Sequence, residues 1–452
     1  MADISIDINP LLQPLARFPG IRRVVLEREL LPRAADCLRP ILPPGPWLLV
    51  ADAATWSAAG AGIGASLERQ GIALQRYLAA PGPNAANLTA DDAAVQTLEH
   101  HLHHGKNAIR AVVAVGAGTI NDIAKLATFR VGIPYAVVAT APSMNGYTSG
   151  VAAILSKGVK TTVPCHQPQA CLGDLDVLAR APHRMIAAGL GDLLSRPVSI
   201  ADWYLSHQLQ GSDYSPEVLT MVEKGAEFLQ GVAPKLPRRD VEAVGRLAAA
   251  LCISGLAMGL AGSSAPASGG EHLLSHYLDM TQTAAGAAPD LHGCQVGVAT
   301  LATAALYQQL LPLNPASIDI DARLRAHIPW PTYATLLKRR FGPLAAALLP
   351  QAEAAYPSTA ELRRRLLQLK EKWRTLVAGL HSIVQPAAAI KADLEAGEAP
   401  LSFAQIGVAP ERALRALRYS KDIRARYTIL HLCDELGVLP QWSKIIVAKF
   451  AR

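Results

Sequence analysis

Aromatic residues are scarce in this chain. Phe, Trp and Tyr make up 5% of its 452 residues, and Asp, Glu, Lys and Arg only 17%. A nucleic-acid reader interleaves aromatic with basic residues, or carries a helix-turn-helix or zinc-knuckle pattern. None of these is present. The net charge of +7 is spread out in short groups such as Arg363–Arg365, which fits small anionic substrates and no nucleic acid. Long hydrophobic runs are missing too. The longest, Leu247–Ala261 (LAAALCISGLAMGLA), has 15 residues, where a membrane span needs about 20. It reads as a buried core helix whose Gly255-x-x-x-Gly259 gives close packing, so no membrane span is expected. The six cysteines, Cys37, Cys165, Cys171, Cys252, Cys294 and Cys433, form no CxxC. A disulfide framework needs dense pairing in a small secreted chain, so reduced thiols and a cytoplasmic location are expected. The opening MADISIDINPLLQPLARF has no basic leader followed by an apolar block, and no signal peptide is expected from it.

What is abundant is Ala, Leu and Val. Half the residues are hydrophobic, which excludes a disordered chain and supplies a core for two to three domains. Up to about residue 175, short continuous apolar runs alternate with amphipathic stretches. Trp47–Ala51 (WLLVA), Ile72–Tyr77, Ala111–Val115 (AVVAV, ending at Gly116) and Pro134–Ala139 (PYAVVA) read as strands. Ala85–His104 and Asn121–Arg130 read as helices. Continuous apolar strands alternating with helices predict a parallel sheet covered on both faces. From about Ala179 the helical period dominates, over Pro182–Ala201, Pro216–Leu229, Arg239–Gly262, Glu271–Leu278, Leu362–Leu380 and Pro410–Leu436. The expected fold class is therefore an α/β domain over residues 1–178, then an all-helical domain over residues 179–452. Sites often lie in the cleft between two such domains.

Two constellations carry chemistry. AVVAVGAGTINDIAKLA reads strand, glycine turn, helix. Gly116 and Gly118 let backbone amides approach a phosphate, and the helix opening there adds its positive end. That suits the pyrophosphate of a dinucleotide, although GAGT is shorter than the GxGxxG fingerprint and also fits an ordinary tight turn. Asp52, at the end of an earlier strand, either accepts a ribose hydroxyl, which favours NAD over NADP, or caps a helix. The second constellation joins Asp192, in AAGLGDLLSR, to His272 and His276, four apart in SGGEHLLSH, and to His292 in LHGCQVG. One Asp and two of these His would hold a divalent ion with a position left open to polarise an alcohol or carbonyl oxygen. The plain alternative is a helix with two buried polar histidines. His100, His101, His103 and His104 (HHLHH) have no nearby Asp and read as a solvated face.

Taken in order, VVAVGAGTINDIAKLA, VATAPSMNGYTSGVAAI, AAGLGDLLSRPVSIADW, SGGEHLLSHYLD and LHGCQVGVAT resemble the sn-glycerol-1-phosphate dehydrogenases, especially the bacterial branch. These belong to the iron-containing alcohol dehydrogenase and dehydroquinate-synthase-like superfamily. The resemblance runs from about Leu48 to Asp434, and it implies that the α/β domain is Rossmann-like and that the helical C-terminal domain binds a metal. It implies reversible reduction of dihydroxyacetone phosphate to sn-glycerol 1-phosphate with NAD(H) or NADP(H). It also implies one divalent ion (zinc, nickel or iron) and a homodimer or larger homo-oligomer.

By the same resemblance, Gly116, Ala117, Gly118, Thr119 and Ile120 hold the cofactor phosphates, and Thr140, Ser143 and Ser149 also contact cofactor. Asp52 meets the adenosine ribose. Asp192, His272 and His292 are the metal ligands, and His276 contacts substrate. Arg196, the basic residue of AAGLGDLLSR, pairs with the substrate phosphate; by residue type alone Lys157 and Lys160 are further candidates, although lysines in a loop are usually just solvated. The family reads S-x-D-G where this chain has Asn145 in PSMNGYTS. An amide keeps a hydrogen bond to substrate there but cannot take up a proton. Two other readings belong beside this one: a sugar-phosphate cyclase that uses bound NAD transiently, and a cofactor-binding relative that has lost activity, with Asn145 as the lesion.

Overall fold

The computed structural model describes residues 4–15, 20–82, 87–104 and 109–452. Its first compact unit comprises residues 4–156, 160–193 and 216–264 where described. Eight strands lie within the first 174 residues: β1 Arg23–Glu27, β2 Trp47–Ala51, β3 Leu74–Leu78, β4 Ala111–Gly116, β5 Tyr135–Ala139, β6 Val151–Ser156, β7 Val159–Pro164 and β8 Ala170–Asp174. Six of them form one sheet in the order β1-β8-β5-β4-β2-β3, and every pairing is parallel. The expectation of a parallel sheet is met. Strands β2, β4, β5 and β8 are buried at every residue. That is why they read as unbroken apolar runs. The edge strands carry the exceptions, Arg23 in β1 and Arg76 in β3, where charge blunts an open edge.

The chain leaves β2 toward β3 on one side, then returns past β2 to β4 and β5 on the other. The strand order thus reverses between β2 and β4, and all carboxyl ends share one edge. In open α/β sheets that crevice is where ligands bind. The remaining strands, β6 and β7, form a separate two-stranded sheet. Lys157 and Gly158, both at positive φ (49° and 78°), close its two-residue turn. Lys157 is exposed there.

The helix Val241–Ala261 is long and apolar enough to cross a membrane by length and composition, yet 83% of its apolar window is buried inside the protein. Its glycines explain the burial. A Cβ at Gly255 would run into the Asn145 carbonyl and the Thr148 hydroxyl, and one at Gly259 would meet the Gln167 side chain. The expected close-packing reading of this pair is met, with a loop as the packing partner.

The second unit comprises residues 157–159, 194–215 and 265–452 and is helical. Several expected helices differ in detail. Pro182–Ala201 is two helices, His183–Leu193 and Arg196–Gln210, because Pro197 opens the second and cannot continue the first. Pro410–Leu436 is also broken, into Pro410–Tyr419, a short turn Ser420–Ile423, and Ile429–Glu435. The expected helix Ala85–His104 runs from Asp92 to His104; Ala85 and Ala86 lie outside the described residues. Within HHLHH, His100 and His103 are exposed and His101 rests on the Tyr77 ring, while the His104 side chain lies outside the described residues. All six cysteines are free thiols.

Candidate active site

Of the turns that follow β2, β8 and β4 at the carboxyl edge, the last is built differently from the other two. After β2, Asp52 caps the next helix: its carboxylate accepts the Thr55 amide at 2.7 Å, and the Asp52 amide donates to the Thr55 hydroxyl at 3.0 Å. After β8, Asp174 caps in the same way, accepting from Asp176 and Val177. After β4 there is no such cap. The helix Gly118–Val131 begins behind an extended Ala117 that offers no side-chain bond. Gly118, Thr119 and Ile120 are thus its first turn, whose amides have no acceptor within a helix. The helix therefore starts three residues earlier than the apolar period indicates. That start presents amides and a helix's positive end to an anion.

Thr140 and Ser143 follow β5 at the same edge and are nearly buried. The Thr140 amide donates to the Gly116 carbonyl at 3.2 Å, so these two turns are joined. Ser149 is placed differently. It is fully buried, and its hydroxyl donates to the carbonyls of Gly146 and Val151. Lys125, also fully buried, donates to Gly146 O at 2.6 Å, Val151 O at 3.0 Å and Ser149 Oγ at 3.2 Å. These three acceptors use the whole donor capacity of an ammonium. Lys125 thereby ties the helix after the glycine turn to the loop that carries Asn145.

Asp192 sits in the last turn of His183–Leu193 and is 1% exposed. Its Oδ2 accepts the Asn145 amide at 2.8 Å. The Asn145 side chain donates to the Ser254 hydroxyl at 3.3 Å. Gly189, three residues before Asp192, makes this possible. A Cβ there would collide with the Pro142 carbonyl, so the helix presses directly on the loop. Arg196 stands at the start of the following helix and is half-buried.

The helix Gly270–Ala284 carries His272 and His276, both 4% exposed. His292 opens the helix His292–Leu310. The His272 and His292 ring centroids are 5.1 Å apart, and those of His276 and His292 5.5 Å. His272 and His292 stand side by side, and Asp192, His272 and His292 together make the donor set of one carboxylate and two imidazoles that suits a metal ion.

Groups behind the imidazoles fix their tautomers. Glu271 Oε1 lies 2.8 Å from His272 Nδ1. The Ser275 hydroxyl donates to Gln295 Oε1 at 2.8 Å, which leaves its oxygen to accept from His292 Nδ1 at 3.0 Å. Both rings then keep the bare Nε2 for a cation, as metal-ligating histidines require. This donor set and its support fit a divalent ion.

A family model for iron-containing alcohol dehydrogenase matches residues 26–182. Glycerol-1-phosphate dehydrogenase (NAD(P)+) from Halalkalibacterium halodurans is 38% identical over 266 residues. The match covers 58% of this chain and 64% of that relative, a little under two thirds of its length. The protein of the same name from Bacillus licheniformis is 30% identical over 392 residues, 87% of this chain and 83% of its own. The chain belongs to the glycerol-1-phosphate dehydrogenase family. Among solved structures, a glycerol dehydrogenase from Schizosaccharomyces pombe superposes with a TM-score of 0.60 at 15% identity, covering 96% of this chain and 92% of that one. This likeness concerns the fold alone.

Within the motifs of this dehydrogenase family, the site also depends on residues to which the sequence alone assigns no role. Asp202 is one. It is buried, and its carboxylate accepts the Gly270 amide, the Ile429 amide and the Tyr307 hydroxyl, each at 2.6 Å. It therefore pins the start of the histidine helix. Burial, with the Glu271 carboxylate close by, pushes Asp202 up to about 7 against the pull of these donors. Glu271, Ser275, Gln295 and Lys125 also went unmarked. A charged residue in an apolar helix, as in IAKLA or GGEHLL, is the one signal that could have flagged Lys125 and Glu271.

Proposed function

We propose that this chain interconverts dihydroxyacetone phosphate and sn-glycerol 1-phosphate with NAD(H) or NADP(H) and one divalent ion. The observation that supports the reading most is the pair His272 and His292, with ring centroids 5.1 Å apart and each ring held from behind at Nδ1, and with His276 one helical turn beyond His272. Residues within 1–178 hold the dinucleotide, and residues within 179–452 hold the metal and most of the substrate. The nicotinamide supplies or takes up the hydride. A zinc, nickel or iron ion, when bound by Asp192, His272 and His292, supplies Lewis acidity toward the C2 oxygen.

The chain's own residues do the rest. The amides of Gly118, Thr119 and Ile120 take the pyrophosphate, with Gly116 and Ala117 shaping the turn. Thr140 and Ser143 flank the cofactor, and Asp52 reaches its ribose with the oxygen left over from capping. Asn145, fixed by Ser254, offers its amide oxygen to a substrate hydroxyl. Asparagine at this position keeps a hydrogen bond to substrate and takes up no proton. His276 hydrogen-bonds the reacting oxygen, and the proton that balances the hydride comes from water or from His276. Arg196, with Lys157 and Lys160 more remotely, meets the phosphate. The enzyme works in the cytoplasm as a homodimer or larger homo-oligomer.

The test is NADH oxidation with dihydroxyacetone phosphate, on chelated protein to which zinc, nickel or iron is returned. Turnover is expected with at least one ion and is lost in His292→Ala. Metal-replete protein that turns over no phosphorylated polyol would overturn the reading.

A further inference from the structure

The stretch YSKDIRARYTIL links the turn Ser420–Ile423 to the helix Ile429–Glu435, and nothing above gives it a role. It carries Arg424 beside the histidine helix. Arg424 Nη2 lies 3.0 Å from His276 Nδ1. A guanidinium can only donate, so Nδ1 is the acceptor of this bond. The neutral ring then carries its hydrogen on Nε2. This is the opposite arrangement to His272 and His292, whose Nδ1 atoms face the acceptors Glu271 and Ser275. Three neighbouring rings are thus sorted by the groups behind them: two present a bare nitrogen and one presents N–H.

Arg424 is unusual in a second way. Among the described residues it makes no ion pair with a carboxylate. Burial and the neighbouring Arg426 pull its guanidinium from 12.5 down to about 9, still a cation at neutral pH. A cation kept without a counter-charge is costly unless a hydrogen bond needs it. Arg426, two residues on, has a different task, donating to the Ser268 carbonyl just before the histidine helix.

We propose that Arg424 is a positioning residue that fixes His276 in its Nε2–H tautomer, so that His276 acts as a hydrogen-bond donor to the substrate's reacting oxygen. The role of this donor in turnover rests on the function proposed above; the tautomer itself does not. It gives His276 one part and leaves water as the source of the proton.

The first measurement is imidazole nitrogen NMR on metal-free, histidine-labelled protein, with His276 assigned by His276→Gln. The expected result is a bare Nδ1 and a protonated Nε2 in the unmodified chain. In Arg424→Met, which keeps the stem and loses the donor, the tautomers should mix. Arg424→Lys, which keeps a donor, should retain much of the preference. Unchanged His272 and His292 signals would show that the helix still folds. The second measurement is turnover of metal-loaded enzyme. Arg424→Met should lose about 10–100-fold in kcat, with KM for the phosphorylated substrate within about threefold, and added guanidinium should restore part of the loss.

An Nδ1–H tautomer in the unmodified chain would overturn the proposal, as would a tautomer that Arg424→Met does not change. A rise in KM at unchanged kcat would overturn it as well, and would make Arg424 a phosphate binder. If the unmodified enzyme turns over no phosphorylated polyol, the proposed function fails while the NMR result still decides the tautomer.

Discussion

At the edge of the sheet, the groups on offer are backbone amides and small side chains, set by where a helix begins and by the lack of a cap. On the histidine helix and at the start of the next one they are imidazoles, each oriented by a second residue behind it. The first kind of site survives many side-chain changes but not an added Cβ where backbones touch. The second survives changes of packing but depends on relays of hydrogen bonds. Stability and function should therefore fail in different ways in the two regions.

The largest effect is expected from Gly189→Ala. Its Cβ would collide with the Pro142 carbonyl, and overpacking of this kind costs about 1–3 kcal/mol. Urea unfolding should show the loss, and a neutral result would mean that the loop moves aside freely. Glu271→Gln tests the other region. It should weaken metal affinity about 10–100-fold while unfolding of the metal-free chain changes little. Equal losses in both would make Glu271 a structural residue only. Asp52→Ala separates cap from ligand. Loss of the cap costs about 1 kcal/mol, and a ribose contact should in addition raise the NADH dissociation constant. Stability lost at unchanged NADH affinity would leave Asp52 as a cap alone.

The smallest effect concerns pH. Glu361 accepts from Arg364 at 2.7 and 2.8 Å and from Arg365 at 2.9 Å, and these bonds hold it down at about 2. A lowered carboxylate stabilises above the unfolded value of 4.5 and loses that contribution as pH falls toward 2. Because the pair is partly exposed, the effect is small. Glu361→Gln should flatten the acid limb of a plot of melting temperature against pH, and an unchanged limb would refute the assignment.

Much of the sheet was legible because buried parallel strands must be apolar throughout, as in WLLVA and AVVAV. The outer strand β1, the buried strand β8 and the β6–β7 pair were not, since RVVLE is short, ACLGD is apolar over only three residues before its Gly and Asp, and Lys157-Gly158 is a less common turn signal than Asn-Gly. The metal-ligand candidates were legible from residue type and order. Their supports were not, because Asp202, Ser275 and Gln295 look like ordinary polar residues on helices until a fold brings their partners to them. The make-up of the compact units was also hidden. Residues 216–264 join the sheet unit, and a helical period cannot say which core a helix will enter.

Asp202 accepts from Gly270 and from Ile429, positions far apart along the chain. During synthesis the histidine helix therefore emerges well before the last donor to its anchor exists. Until the last helices leave the ribosome, that carboxylate is only partly satisfied, and the ring geometry it secures is not yet locked. Catalytic competence should then arrive late and all at once, and a product cut short before Ile429 should lack it even though every metal-ligand candidate has been made.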